Sequence, residues 1–243
     1  MLPPDITWID ALALAWFATN WFGYTVMLDW RVQRLPAINQ RMARIRHYWM
    51  MRFLERENRI FDSQLMGQTI ASVTFFASTS VLVVAGLLSV FGTVETVWRV
   101  IGESGVVQQT SRALFEAKLV LLVVIFIYGF LKFTWALRQY NYTCALMGAA
   151  PSQHAPEALR ERIAVELGRA ITSAISAFNG GLRAYYFALA VLAWFIQPWL
   201  FMIATTWVTA VLLYRQMRSG FAGTVGRMAE ILDEEAAGAR PGG

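Results

Sequence analysis

AYYFALAVLAWFIQPWLFMIATTWVTAVLLY, residues 184–214, decides the fold. The stretch has 31 residues, no formal charge, and one proline, Pro198, near its middle. As one straight helix it would be about 46 Å long, against a hydrocarbon core of about 30 Å. It is too long for one comfortable span and barely long enough for two. Pro198 has no amide hydrogen to donate and disfavours helix at the preceding Gln197. The expected solution is a fold-back at Gln197–Pro198, with spans at about 182–197 and 199–214.

The rest of the chain suits the same setting. Of 243 residues, 57% are hydrophobic and 15% charged, whereas soluble domains carry about 25% charged residues. The net charge of +5 lies at the ends of apolar runs, where anionic lipid rather than nucleic acid would meet it. Cys144 is the only cysteine, so neither an intramolecular disulfide nor a thiolate cluster can form. His47 and His154 stand far apart and belong to no HExxH pattern. No metal or cofactor is expected. GxSxG, CxxC, phosphate-loop and dinucleotide signatures are also missing, so no enzyme is expected. The N-terminus has no basic region ahead of its apolar run, and ALALA (11–15) reads as part of a retained first span.

That first span runs over about 9–28. Asp10 falls at its outer edge, within reach of water, and Asn20 lies deeper and calls for a partner on another helix. Arginines 31, 34, 41, 44, 46, 52, 56 and 59 follow. Among them Ile38, Met42, Ile45, Trp49 and Phe53 recur at helical spacing, which predicts a basic amphipathic helix. Such a helix lies at cytoplasmic headgroups, so segment 36–62 is expected to bind anionic lipid.

The second span covers about 66–91. Gln64, Gln68, Ser72, Phe75, Thr79 and Gly86 share a sector of about 80° on it, a stripe expected to face other helices or a wet cavity. The third span covers about 115–137, with Glu116 expected in an interfacial ion pair. Lys118 and Lys132 bracket 13 uncharged residues and are expected to snorkel outward in opposite directions. Alternating charges over 156–169 predict a solvated helix, and Asn179, Gly180 and Gly181 a bend. Residues 219–243, with the acidic run DEE at 233–235, are expected to form a mobile tail without a core.

Charge gives the orientation. Lysines and arginines number eight over 29–62, five over 138–183 and four over 215–243, but two over 92–112 and none before the first span. The positive-inside rule then puts the N-terminus outside and the C-terminus in the cytoplasm. That arrangement requires the 184–214 stretch to cross twice. The expected architecture is all-α: a polytopic transmembrane bundle of five spans within one domain, residues 1–218, plus a basic amphipathic cytoplasmic helix.

The stretches RHYWMMRFLERENRIFDSQL (46–65), FFASTS (75–80), LFEAKLVLLVVIFIYGFLKFTWALRQYNY (114–142) and GLRAYYFALAVLAWFIQPWLFM (181–202) resemble the bacterial branch of an uncharacterised membrane-protein family, domain of unknown function 599. The resemblance implies a compact multi-spanning helical protein of the bacterial inner membrane. It carries no catalytic residues. Family-like positions are Trp49, Asn58, Asp62, Lys118, Trp135, Arg138, Asn141, Arg183, Tyr186 and Pro198.

The residues to watch are thus Gln64, Gln68, Ser72, Thr79, Glu116, Lys118, Arg138, Asn141 and Arg183, in functional or packing roles. Arg183 is expected to anchor the hairpin at the headgroups. Two functions are expected to compete. One is a structural or accessory protein that binds lipid, a second copy or a membrane-protein partner. The other is a small transporter or channel-like protein working as an oligomer. Nucleic acid is not expected, because no base-reading motif accompanies the arginines.

Overall fold

A computed structural model describes residues 7–31, 38–96, 98, 111–217 and 220–238. It is 92% helical and has no strand among the described residues. The main helices follow in chain order: α1 (Trp8–Arg31), α2 (Ile38–Glu55), α3 (Ile60–Gly92), α4 (Arg112–Gly148), α5 (Glu157–Ile196), α6 (Pro198–Met217) and α7 (Gly220–Gly238). Three stretches are long and apolar enough to cross a membrane: Ile60–Gly92, Arg112–Gly148 and the run Pro198–Gly238 that α6 begins. Most of the loop expected over 92–112, Arg34 and the closing ARPGG lie outside the described residues.

The chain forms two compact units. The first comprises residues 1–29, 75–133 and 179–212, and the second 30–74, 134–178 and 213–243. Helices α3, α4 and α5 each give one portion to each unit.

Aromatic contacts set the order of the first unit. The Trp194 and Phe201 rings stack with centroids 5.2 Å apart and planes 12° apart. Seven residues along a straight helix would separate them by about 10 Å, so α5 and α6 fold back on each other at Gln197. Phe17 confirms it by touching Phe187 and Phe201 at 5.7 and 5.2 Å. The break falls where the proline predicted it.

Along α1, Asp10 meets Trp194 and Trp21 meets Phe187, so α1 and α5 run antiparallel. Trp21 also meets Tyr128, at the end of the unit remote from Lys118 and its partner Trp194. Helix α4 therefore runs with α1. Phe76 touches Phe133 and Tyr185, while Phe91 and Val94 pack near Phe115 and Phe195, which places α3 against α4 in the opposite sense. The five segments alternate in direction.

Two expectations about α5 and the tail need correction. Asn179–Gly181 is not a bend, because α5 runs through it without a break. The glycine serves packing instead: a methyl group at Gly181 would sit 2.4 Å from Cε1 of Phe133. The expected mobile tail is helix α7, and it does have a core. Ala222, Val225, Gly226, Ala229 and Leu232 form a buried stripe at helical spacing, and α7 packs on α2. On α2 the buried residues are Arg46, Met50, Phe53 and Leu54, about one position round from the stripe read in the sequence. An arginine therefore occupies the buried face.

Candidate functional site

Two polar clusters stand out, one in each unit. In the first unit, Lys118 is 1% exposed and Asp10 4% exposed. Both were expected to reach water. Instead the Lys118 ammonium donates to the Trp194 carbonyl at 2.8 Å, and the Trp194 indole donates to Asp10 at 2.8 Å. Proline explains the choice. The helical donor to the Trp194 carbonyl would be the amide of residue 198, and Pro198 has none. Lys118 supplies the missing hydrogen bond, and its charge lies 5.3 Å from the Trp194 ring. Asp10 provides the opposite charge acting on it. One tryptophan thus joins the break in α5, the buried lysine and the buried carboxylate.

The second unit gathers its charge on α2. Arg44 pairs with Asp233 of α7 at 2.6 Å, Arg52 with Glu235 at 2.7 Å, and the Tyr48 hydroxyl donates to Asp233 at 2.8 Å. Arg41 donates to the Ala222 carbonyl at 3.1 Å, where Gly226 leaves room for its guanidinium. Three of the arginines expected to face lipid, Arg41, Arg44 and Arg52, thus bond carboxylates and a carbonyl of α7. Asp62, fully buried at the start of α3, accepts from Trp49 and Arg56, each at 2.6 Å through Oδ1. Its Oδ2 has no partner among the described residues.

Arg46 lies deeper in the same unit, 7% exposed, and donates to the Thr172 hydroxyl at 3.3 Å. Burial holds its pKa below the usual arginine value, and Tyr140 acts in the opposite sense. A methyl group at Gly168 of α5 would lie 3.3 Å from the His47 backbone, so glycine permits α2 to approach α5 there.

The sequence-predicted residues do not converge on one site. Gln64, Gln68 and Ser72 are exposed and Thr79 half-buried. The Ser72 and Thr79 hydroxyls bond carbonyls four residues back on their own helix, so they need no partner on another. Asn20 does the same toward Trp16. Glu116 pairs with Arg112, which also reaches Glu95. Arg138 and Asn141 are exposed. Arg183 is half-buried; its Nη2 and the Lys132 stem flank Gly180, and among the described residues neither cation makes a hydrogen bond or ion pair.

Sequence reasoning missed the α2–α7 pairing and the buried Arg46. The signal for the first was present, since 222, 225, 229 and 232 repeat apolar side chains at helical spacing. No group of three or more metal-ligating side chains occurs among the described residues.

No curated protein and no solved structure matches the chain. A family model matches residues 12–221, most of its length. The chain belongs to the family described as Protein of unknown function, DUF599.

Proposed function

We propose that the chain is a five-span protein of the bacterial inner membrane, N-terminus outside and C-terminus cytoplasmic, that acts as an accessory protein docking an anionic partner. The observation that carries this reading is the α2 face itself. Arg44, Tyr48 and Arg52 are spaced to hold carboxylates, and α7 supplies two, Asp233 and Glu235. These pairs are solvent-exposed, so each contributes about 0–1 kcal/mol. A basic residue near an anionic bilayer gains about 1 kcal/mol. The two are comparable, so a dense anionic surface can take the arginines over while the apolar seam keeps α7 seated. The occupants this favours are anionic headgroups or an acidic membrane-protein partner.

The alternating direction of the five segments in the first unit supports the topology, as does the arginine distribution. The packed aromatic interior there argues against a conduit within one copy. A transporter alternative draws on the exposed Gln64, Gln68 and Ser72, which would have to line a path between copies.

The test uses the full chain in neutral nanodiscs, challenged with phosphatidylglycerol vesicles. The wild type should capture them, Asp233→Asn/Glu235→Gln should capture more, and high salt should abolish both. If neither protein captures vesicles, docking to anionic lipid is wrong. Ion or solute flux in proteoliposomes, lost in Gln68→Leu, would favour the transporter instead.

A further inference from the structure

A second feature of the second unit is a groove between the first turns of α3 and the last turns of α4. Its volume is about 510 Å³, within the range of small-ligand sites. Phe53, Met66, Ile70 and Met147 make its walls apolar. Gly67 and Gly148 widen it, since a methyl group on either would meet no atom within 4 Å. One polar feature marks one end: Arg59, with Ser63 beside it.

Arg59 is held in place but carries no counter-charge. Its guanidinium donates to the carbonyls of Ala150 and Pro151 at 3.3 and 2.7 Å and lies 4.5 Å from the centre of the Phe53 ring. Carbonyls orient a cation without neutralising it, and no carboxylate pairs with it among the described residues. Arginine has five N–H donors, of which this geometry uses two. Arg59 also directly precedes α3, whose first amide, that of Ile60, is capped by the Asn58 side chain. The groove is therefore an apolar channel with a fixed, uncompensated cation at one end.

We infer that this groove binds one anionic phospholipid, with an acyl chain along α3 and α4 and the headgroup phosphate at Arg59. The inference rests on the membrane reading above, because Met66, Gly67 and Ile70 then lie at the cytoplasmic end of the second span, where an acyl chain can reach them from the headgroup level of Arg59. It concerns a different surface from the α2–α7 face.

The chain carries its own reporter. Cys144, its only cysteine, lines the groove and is exposed. The delipidated full chain in neutral detergent is labelled with a maleimide while lipid is titrated in. At a phosphatidylglycerol level about ten times Kd, labelling should slow about tenfold. Phosphatidylcholine should protect far less. Arg59→Gln should remove the difference between the two lipids, and Arg59→Lys should retain it. Gly67→Leu/Gly148→Leu should remove protection by either lipid while circular dichroism still reports the wild-type helix content.

Three outcomes overturn the proposal: equal protection by the two lipids in the wild type, no lipid-dependent protection, or full protection in the glycine double variant. Inorganic phosphate protecting as well as phosphatidylglycerol would also overturn it, in favour of a plain anion site. Because Cys144 reports on the groove alone, failure here leaves vesicle capture by α2 standing, and failed capture leaves this result standing.

Discussion

The two units treat buried polar groups in opposite ways. In the first, Lys118 and Asp10 commit their charges to one tryptophan, and the surrounding interior is filled by rings such as Phe17, Phe187 and Phe201. In the second, buried polar atoms are left over: Asp62 Oδ2, Gln139 Nε2, the Tyr140 hydroxyl, Arg160 Nε and Gln216 Nε2 have no partner among the described residues. Among the described residues of the first unit, Thr205 Oγ1 is the one such atom. Unpaired buried groups cost stability and call for an explanation. The difference lies in where the unpaired buried atoms fall: most of those among the described residues are in the second unit.

The sharpest way to break this contrast is at Lys118. Lys118→Met removes the buried donor to the Trp194 carbonyl, so it should cost about 1–3 kcal/mol in a detergent-denaturant titration. Adding Asp10→Asn should recover part of that loss, because the two charges act on each other. A loss below about 1 kcal/mol would mean that the pair does not stabilise the hairpin. Gly181→Ala comes next. The Phe133 ring is fully buried and has nowhere to move, so the extra methyl should cost about 1–3 kcal/mol by the same titration.

In the second unit the expected effects are small, and smallness is the prediction. Asp233→Asn breaks an exposed pair and should cost under about 1 kcal/mol, vanishing in high salt. Tyr140→Phe should be close to neutral or slightly stabilising, since it deletes a buried hydroxyl that has no partner among the described residues. A large loss at Tyr140 would reveal a partner for that hydroxyl and narrow the contrast between the units.

Much of the fold was legible because long apolar helices write themselves in long-range composition. The uncharged run and Pro198 located the hairpin break, and the spacing of Ile38, Met42, Ile45, Trp49 and Phe53 found α2. The failures share one cause. Lys118 was read along its own helix, where snorkelling is the natural outlet, but its partner lies 76 residues away and is created by a proline. Gly181 was read as a weak point because a glycine's packing partner is invisible in sequence. The α3 stripe was assigned to an interior, yet hydroxyls that bond their own backbone carry no such obligation. In the tail, the acidic run drew the eye from the apolar stripe beneath it. The Arg59 groove was not legible, since it depends on how two helices diverge.

The link between Lys118 and Trp194 also bears on how the protein is made. Synthesis is vectorial, and the lysine leaves the ribosome 76 residues before the carbonyl that receives it. At about 5–20 residues per second the wait is roughly 4–15 s. If the chain spans a membrane as proposed, the ammonium has only water or headgroups to turn to throughout that interval, and α4 would not settle at its final depth until α5 arrives. A nascent chain halted before residue 194 should leave α4 extractable, and one halted after α6 should not. On the five-span reading, the last two helices do more than complete the bundle: their arrival sets the moment at which an earlier one becomes fixed.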